Sequence, residues 1–244
     1  MKLLSYAPLA LLLLTLPVKA QATAAAMNGV PATSPTDFHY FDPASVDLKT
    51  LLPDPPADGS PETKAEIDLI LEKQKARTPE EVERIKREVK LNVYLFDTVL
   101  GDWFTAKNLP LTATLFQKVD ETEVPIIMSA KKDWHRPRPF KQDSRVKPPI
   151  DLPKNDSYPS GHATFGLLNA LILAQLAPDL KDQLVARGTQ IGDDRIIAGV
   201  HFPSDVEAGH KVANALFAKF VASPAFQADL AAAKTEFDAA RPKH

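Results

Sequence analysis

Residues 157–176 read SYPSGHATFGLLNALILAQL, and this stretch decides the fold. From His162 to Leu176 the residues are mostly apolar on every side, as expected of a helix enclosed by other helices. The most apolar part, Gly166 to Ala177 (GLLNALILAQLA), is twelve residues long. That is too short to cross a bilayer, so it reads as a central buried helix. On the N-terminal side, Ser60-Pro61 pairs a capping serine with a proline at the first helical position and starts a helix to about Arg77. Thr78 and Glu81 have capping-box spacing. Val82, Ile85, Val89, Val93 and Phe96 then recur every three or four residues, which predicts one helix reaching Phe96. Leu111–Val119 and Val124–Lys132 read as two short helices. Beyond the central run, Pro178–Ile197, Pro203–Val221 and Pro224–Ala239 complete the set. Alternating strand patterns and internal repeats are absent from the sequence. The expected fold is all-α, one bundle-like domain over residues 60–244. Its longest irregular connection, Pro137–Pro159, is of the kind that carries function.

The N-terminal residues read differently. Lys2 precedes an apolar run, Ala7–Leu16, and Val18-Lys19-Ala20 offers small or apolar residues where a signal peptidase cuts. Residues 1–20 are therefore expected to be a signal peptide, cleaved after Ala20, which makes the protein periplasmic or secreted. Residues 21–59 are expected to form an extended Pro-rich arm that ends in LLPDPPADGS at 51–60.

Composition limits the partners. The chain of 244 residues is 44% hydrophobic, with 29 Lys and Arg against 31 Asp and Glu. Loss of Lys2 and Lys19 would move the formal charge from -2 to -4. No basic excess points to nucleic acid or an anionic membrane. The chain has no cysteine, so packing must replace disulfides even in an exported protein.

Three segments hold residues that a helical bundle does not need: Lys131–Phe140 (KKDWHRPRPF), Tyr158–His162 (YPSGH) and Arg195–Asp205 (RIIAGVHFPSD). Arginine offers a planar fork of donors to phosphate oxygens, and lysine a compact charge. Lys131, Arg138 and Arg195 together would neutralise a bound dianion. Ser160 and Gly161 precede the central helix, where first-turn N–H groups and the helix dipole favour an anion, and Gly161 permits close approach. Asp205 lies four residues beyond His201. Its carboxylate can hold one ring nitrogen and leave the other as a nucleophile, with His162 as acid and base. The six histidines, at 39, 135, 162, 201, 210 and 244, show no zinc-motif spacing, so no metal or other cofactor is expected. Trp134, between Lys131 and Arg138, is read either as a packing residue or as a stacking surface for an aromatic leaving group.

In order, Lys131-(six residues)-Arg138-Pro139, Pro159-Ser160-Gly161-His162 and Arg195-(five residues)-His201-(three residues)-Asp205 resemble the signature of the type 2 phosphatidic acid phosphatase superfamily. That superfamily includes vanadium-dependent haloperoxidases. The stretches at 51–60, 136–140, 157–162, 187–188 and 198–209 resemble in particular the class A bacterial nonspecific acid phosphatases. The resemblance implies a broad-specificity, metal-free acid phosphatase that hydrolyses phosphate monoesters through a phosphohistidine on His201. Asp205 would orient His201, and His162 would protonate the leaving alkoxide and then activate water. Lys131, Arg138, Ser160, Gly161 and Arg195 would bind phosphate. One position departs from the superfamily pattern. Asp194 stands where a serine is usual, and it is expected to turn away and pair with Arg136 or Arg195.

The alternatives are a vanadate-dependent haloperoxidase on the same cation cage, a non-catalytic phosphate-binding protein, and a phosphatase acting on soluble lipid phosphates. The short chain and the 51–60 and 198–209 features argue against the haloperoxidase, and the two-histidine arrangement argues against a pure binder. Expected partners are small phosphomonoesters and inorganic phosphate, with self-association into a homo-oligomer left open. Neither nucleic acid nor a membrane is expected.

Overall fold

A computed structural model describes residues 40–242, and the signal-peptide reading lies outside them. Ten α-helices follow one another: α1 (Leu48–Leu51), α2 (Pro61–Ala76), α3 (Pro79–Arg87), α4 (Asp97–Leu100), α5 (Pro110–Trp134), α6 (Pro139–Gln142), α7 (Gly161–Leu176), α8 (Lys181–Ile197), α9 (Pro203–Ala222) and α10 (Pro224–Ala240). Short 3-10 turns cover Pro43–Ser45, Val93–Phe96 and Pro178–Leu180. No strand occurs among the described residues, and none of their helices is long and apolar enough to cross a membrane.

The central helix is α7. It packs on α8 and α9, and α10 closes against α5, α9 and α7. Leu168, Ala170, Ile172 and Leu173 are fully buried, as the unbroken apolar pattern requires. Small residues set how close these helices come. A Cβ on Gly166 or on Gly188 would collide with the other glycine's carbonyl oxygen, so α7 and α8 touch backbone to backbone. A Cβ on Gly209 would lie 2.5 Å from the Ser160 carbonyl oxygen. The seam therefore draws α8 and α9 onto the start of α7, where the second motif lies.

Two helix expectations are corrected. The helix expected to reach Phe96 ends at Arg87, because Glu88 turns its carboxylate inward to Arg187 and Arg195. Val89 is left 47% exposed, and the apolar spacing resumes only in the 3-10 turn, which Asn92 caps. The two short helices expected at 111–119 and 124–132 are one 25-residue helix, α5, with Pro125 inside it. Proline removes a backbone donor there at ~3 kcal/mol. The helix persists because Leu115, Phe116, Val119, Ile126 and Ile127 bury its inner face on both sides of the proline.

The part of the arm that is described, residues 40–59, lies against the bundle. Tyr40, Leu48 and Leu52 join the main core. Tyr158 Oη donates to the Pro53 carbonyl at 2.7 Å, and Trp134 Nε1 donates to Asp54 at 2.8 Å. Trp134 also meets Tyr158 edge to face at 5.0 Å, which makes it a packing residue.

Gly188→Ala tests the seam. Overpacking there should cost about 1–3 kcal/mol or more. The urea midpoint should fall, whereas a neutral substitution would mean that α7 and α8 can separate freely.

Candidate active site

The three motifs meet at one cavity of about 440 Å³. Lys131, Arg138, Gly161, His162, Arg195 and His201 all line it, and Ser160 and Asp205 stand behind the wall.

His201 is held from behind. Proline at the first position of α9 places Asp205 in its first turn, where the carboxylate reaches back to the Phe202 N–H at 2.9 Å. The same oxygen, Oδ2, lies 3.2 Å from His201 Nδ1 and accepts from Ser157 Oγ at 2.5 Å. Oδ1 accepts from Arg136 Nη1 at 2.6 Å. A carboxylate flanked by these donors fixes the proton of His201 on Nδ1. Nε2 is then the acceptor, 3.1 Å from Arg138 Nη1. Burial alone would push the Asp205 carboxyl up. The hydrogen bond with His201 and the Arg136 guanidinium more than offset it and hold the group below the usual carboxylate range. Burial, and then Arg138, push His201 down to about 3.

The cations differ in what holds them. Arg138 is braced by the Asn155 and Val200 carbonyls at 2.8 and 2.6 Å and by the Asn155 side chain at 2.7 Å. Arg195 pairs with Glu88 at 2.7 Å, while its Nε is buried with no partner. Lys131 directs Nζ at three carbonyls, Asp156, Ser157 and Pro159, at 2.9, 3.1 and 2.7 Å. Its three donors are thus engaged, and it offers the cavity charge more than a hydrogen bond. Burial and the neighbouring Arg138 lower Lys131 to about 7.

Ser160 Oγ caps α7 through the Ala163 N–H at 3.3 Å, so its hydroxyl serves the helix start. Gly161 opens α7 on the cavity wall, where first-turn N–H groups lack intrahelical partners. His162 Nε2 lies 3.1 Å from the Glu88 carbonyl oxygen and donates to it. Burial, then Arg195 and His201, push the imidazole well below its ordinary value and favour its neutral form.

Asp194 does turn away, but its partner is Arg84, at 2.6 and 2.8 Å. Arg136 is instead engaged by Asp205 and Glu66, and Arg195 by Glu88. Ser157, Asn155 and Glu88 support the site without being singled out by the sequence, and Arg136, read there only as a partner for Asp194, supports it too. Arg136 and Ser157 sit inside stretches already marked as informative. Glu88 carries no motif and resembles any charge on an amphipathic helix. His135 is outside the cavity wall with its ring largely exposed, and His39 and His244 lie outside the described residues.

A model of the PAP2 superfamily matches residues 121–227. The chain is 30% identical over 230 residues to a non-specific acid phosphatase of Providencia stuartii, covering 90% of this chain and 93% of that protein. It is 32% identical over 203 residues to a non-specific acid phosphatase of Salmonella typhimurium, covering 80% and 81%. An acid phosphatase of Zymomonas mobilis is 39% identical over 137 residues, covering 54% of this chain and 52% of that protein.

The buried His201 has a measurable consequence. Its folded pKa lies below its unfolded one, so between about 6.5 and about 3 the unfolded chain binds a proton that the folded chain does not. This histidine therefore lowers stability as pH falls through that window and has no such effect above it. Nitrogen NMR of the ligand-free protein should find His201 neutral, protonated on Nδ1, at pH 5. An imidazolium at that pH would contradict the arrangement.

Proposed function

The chain belongs to the PAP2 superfamily, and we propose on that premise that it is an acid phosphatase that hydrolyses phosphate monoesters through a covalent phosphohistidine on His201, with no metal ion. The observation that carries this reading is the orientation of His201, whose Nδ1 is held by Asp205 while Nε2 faces the cation-lined cavity.

In the proposed step the Arg138 Nη1–H that rests on His201 Nε2 turns to an incoming phosphate oxygen, and the Nε2 lone pair so freed attacks phosphorus. An N–P bond forms as the ester P–O bond breaks, and Asp205 stabilises the charge that appears on the ring. Arg138 and the unpartnered Nε of Arg195 receive the equatorial oxygens, together with the first-turn N–H groups at Gly161. Lys131 contributes field from its carbonyl tether, and Ser160 acts by fixing the helix start. These groups supply the charge stabilisation that a metal supplies elsewhere. The departing alkoxide takes a proton from His162. Water then attacks the phosphohistidine, His162 takes a proton from it, and inorganic phosphate and neutral His201 result. Burial and Arg195 favour neutral His162, so its charged form depends on the bound phosphate. A bound dianion offsets Arg195 and raises the imidazole pKa.

The two-histidine arrangement favours turnover over binding alone.

Two variants examine the mechanism together. Acid quench of the working enzyme with labelled substrate should trap acid-labile, base-stable phosphate on protein, with turnover unchanged by EDTA. His201→Ala should lose the label and ~10⁴–10⁶-fold in rate. His162→Ala should lose ~10²–10⁴-fold on an alkyl phosphate and far less on p-nitrophenyl phosphate, whose leaving group needs little protonation. Near-normal activity in His201→Ala, or equal losses on both esters in His162→Ala, would remove the corresponding role.

Export belongs to the same proposal, resting on Lys2, the apolar run Ala7–Leu16 and the small residues before Gln21. Sequencing the exported protein from its N-terminus should read Gln21 first, and an intact Met1 would refute cleavage.

A further inference from the structure

Opposite in character to the cation cage, three carboxyl groups line the same cavity; Asp151 is exposed, whereas Asp120 and Glu123 belong to the wall formed by α5. Asp120 and Glu123 lie three residues apart on α5, one turn of the same face. Glu123 is only 3% exposed. Its Oε2 is buried with no partner, and so is Asp120 Oδ1. A buried carboxyl without a partner costs stability, and the proposed chemistry of His201 and His162 uses neither group.

We propose that Asp120 and Glu123 form a subsite for hydroxyl groups on the alcohol part of the ester, so that polyol phosphates of about sugar size are hydrolysed in preference to apolar esters of the same shape. This rests on the phosphomonoesterase reading given above.

Position supports it. Glu123 and Asp120 precede Lys131 by eight and eleven residues on one helix, about two and three turns, or ~12 and ~17 Å of axial rise. The carboxyls thus lie well along the wall from the phosphate end. A cavity of about 440 Å³ has room for an alcohol part of sugar size between them. Protonation state supports it as well. Burial pushes Asp120 up to about 7, helped by Glu121, and burial with Asp120 beside it pushes Glu123 well up. In mildly acidic solution each is a neutral carboxylic acid with one O–H donor and a carbonyl acceptor. A hydroxyl, which donates and accepts, complements that pair. An ammonium group, which only donates, does not.

The test compares glucose 6-phosphate, cyclohexylmethyl phosphate and 4-aminocyclohexylmethyl phosphate at pH 5, with methyl phosphate as a reference too small to reach the carboxyls. Two well-made hydrogen bonds should give glucose 6-phosphate a kcat/KM ~10-fold or more above the cyclohexyl ester. Glu123→Leu should bring that ratio toward one, leave methyl phosphate within about twofold, and unfold at the same or a higher temperature, since it removes an unpartnered buried polar group. Glu123→Gln keeps a donor and an acceptor and should retain most of the preference. Equal wild-type kcat/KM for the sugar and cyclohexyl esters overturns the subsite without requiring any variant. Preference for the ammonium ester, or a Glu123→Gln loss as large as that of Glu123→Leu, also overturns it, because the pair would then act as charged carboxylates. If methyl phosphate is not turned over either, the hydrolase reading itself fails.

Discussion

Asp205 is the constraint on which the site depends. Its carboxylate is fully buried, and it receives Arg136, Ser157, the Phe202 N–H and His201, while its backbone oxygen accepts from the Ser160 N–H at 3.0 Å. One residue thus ties together the start of α9, the loop around Arg136, the loop around Ser157, the first turn of α7 and the nucleophile. A buried charge is tolerated only when paired and hydrogen-bonded, and removing a partner from such a pair costs ~3–5 kcal/mol. The chain meets that condition with donors from all three motifs. The packing seam of Gly166, Gly188 and Gly209 is the other half of the same constraint, because it sets the distance between the helices that those donors join.

The electrostatics of the empty cavity follow. Lys131, Arg138 and Arg195 are all at least 95% buried and lie around one small volume, and each is pushed below its ordinary pKa, by burial first of all. The histidines respond to the same surroundings and are held neutral. An anion in the cavity reverses the sign of that effect for His162 in particular. In the proposed mechanism the nucleophile is available at acid pH before substrate arrives, and the proton donor becomes charged because the phosphate has bound. Burial and Arg138 hold His201 neutral against the pull of Asp205, whose part is to fix which ring nitrogen carries the proton.

Much of this was legible in the sequence, for identifiable reasons. The central helix was readable because an apolar run flanked by a Ser-Gly start and a proline admits few other structures. The residues of the three motifs converge as expected, since short motifs rigidly attached to helix ends keep their meaning in the fold. The errors arose where tertiary partners override local pattern. The apolar spacing from Val82 to Phe96 is real, but Glu88 is needed inside by two arginines, and the helix stops. The break expected between Val119 and Val124 is filled by helix, because the core on both sides of Pro125 holds α5 together. Asp194 pairs with Arg84, which is 110 residues away in sequence and could not be chosen over Arg136 or Arg195 without the fold. Asp120 and Glu123 were invisible because their significance is the lack of a partner, a property that no sequence displays.

How acids and bases are matched around the cavity explains why Asp194 is compatible with an anion site. Asp194 has Arg84 in a two-point pair, and Glu66 and Asp205 share Arg136. Glu88 alone serves both Arg187 and Arg195, so that cluster of two guanidiniums and one carboxylate keeps one net positive charge. Arg138 has no carboxylate among its hydrogen-bond partners in the described residues, only carbonyls, an amide and a histidine nitrogen. Arg136 between two carboxylates leaves one net negative charge, so with Arg138 and Lys131 included about two positive charges remain around the cavity, which matches a phosphomonoester of one to two negative charges. A carboxylate at position 194 does not weaken this balance, because Arg84 arrives with it from α3 and the pair faces away from the cavity wall. Of the three acidic residues that line the cavity, Asp151 is exposed, and Asp120 and Glu123 are the ones whose burial favours the uncharged form at acid pH. On the proposed reading, the positive phosphate end and the neutral Asp120–Glu123 pair would together orient an ester with its phosphorus toward His201.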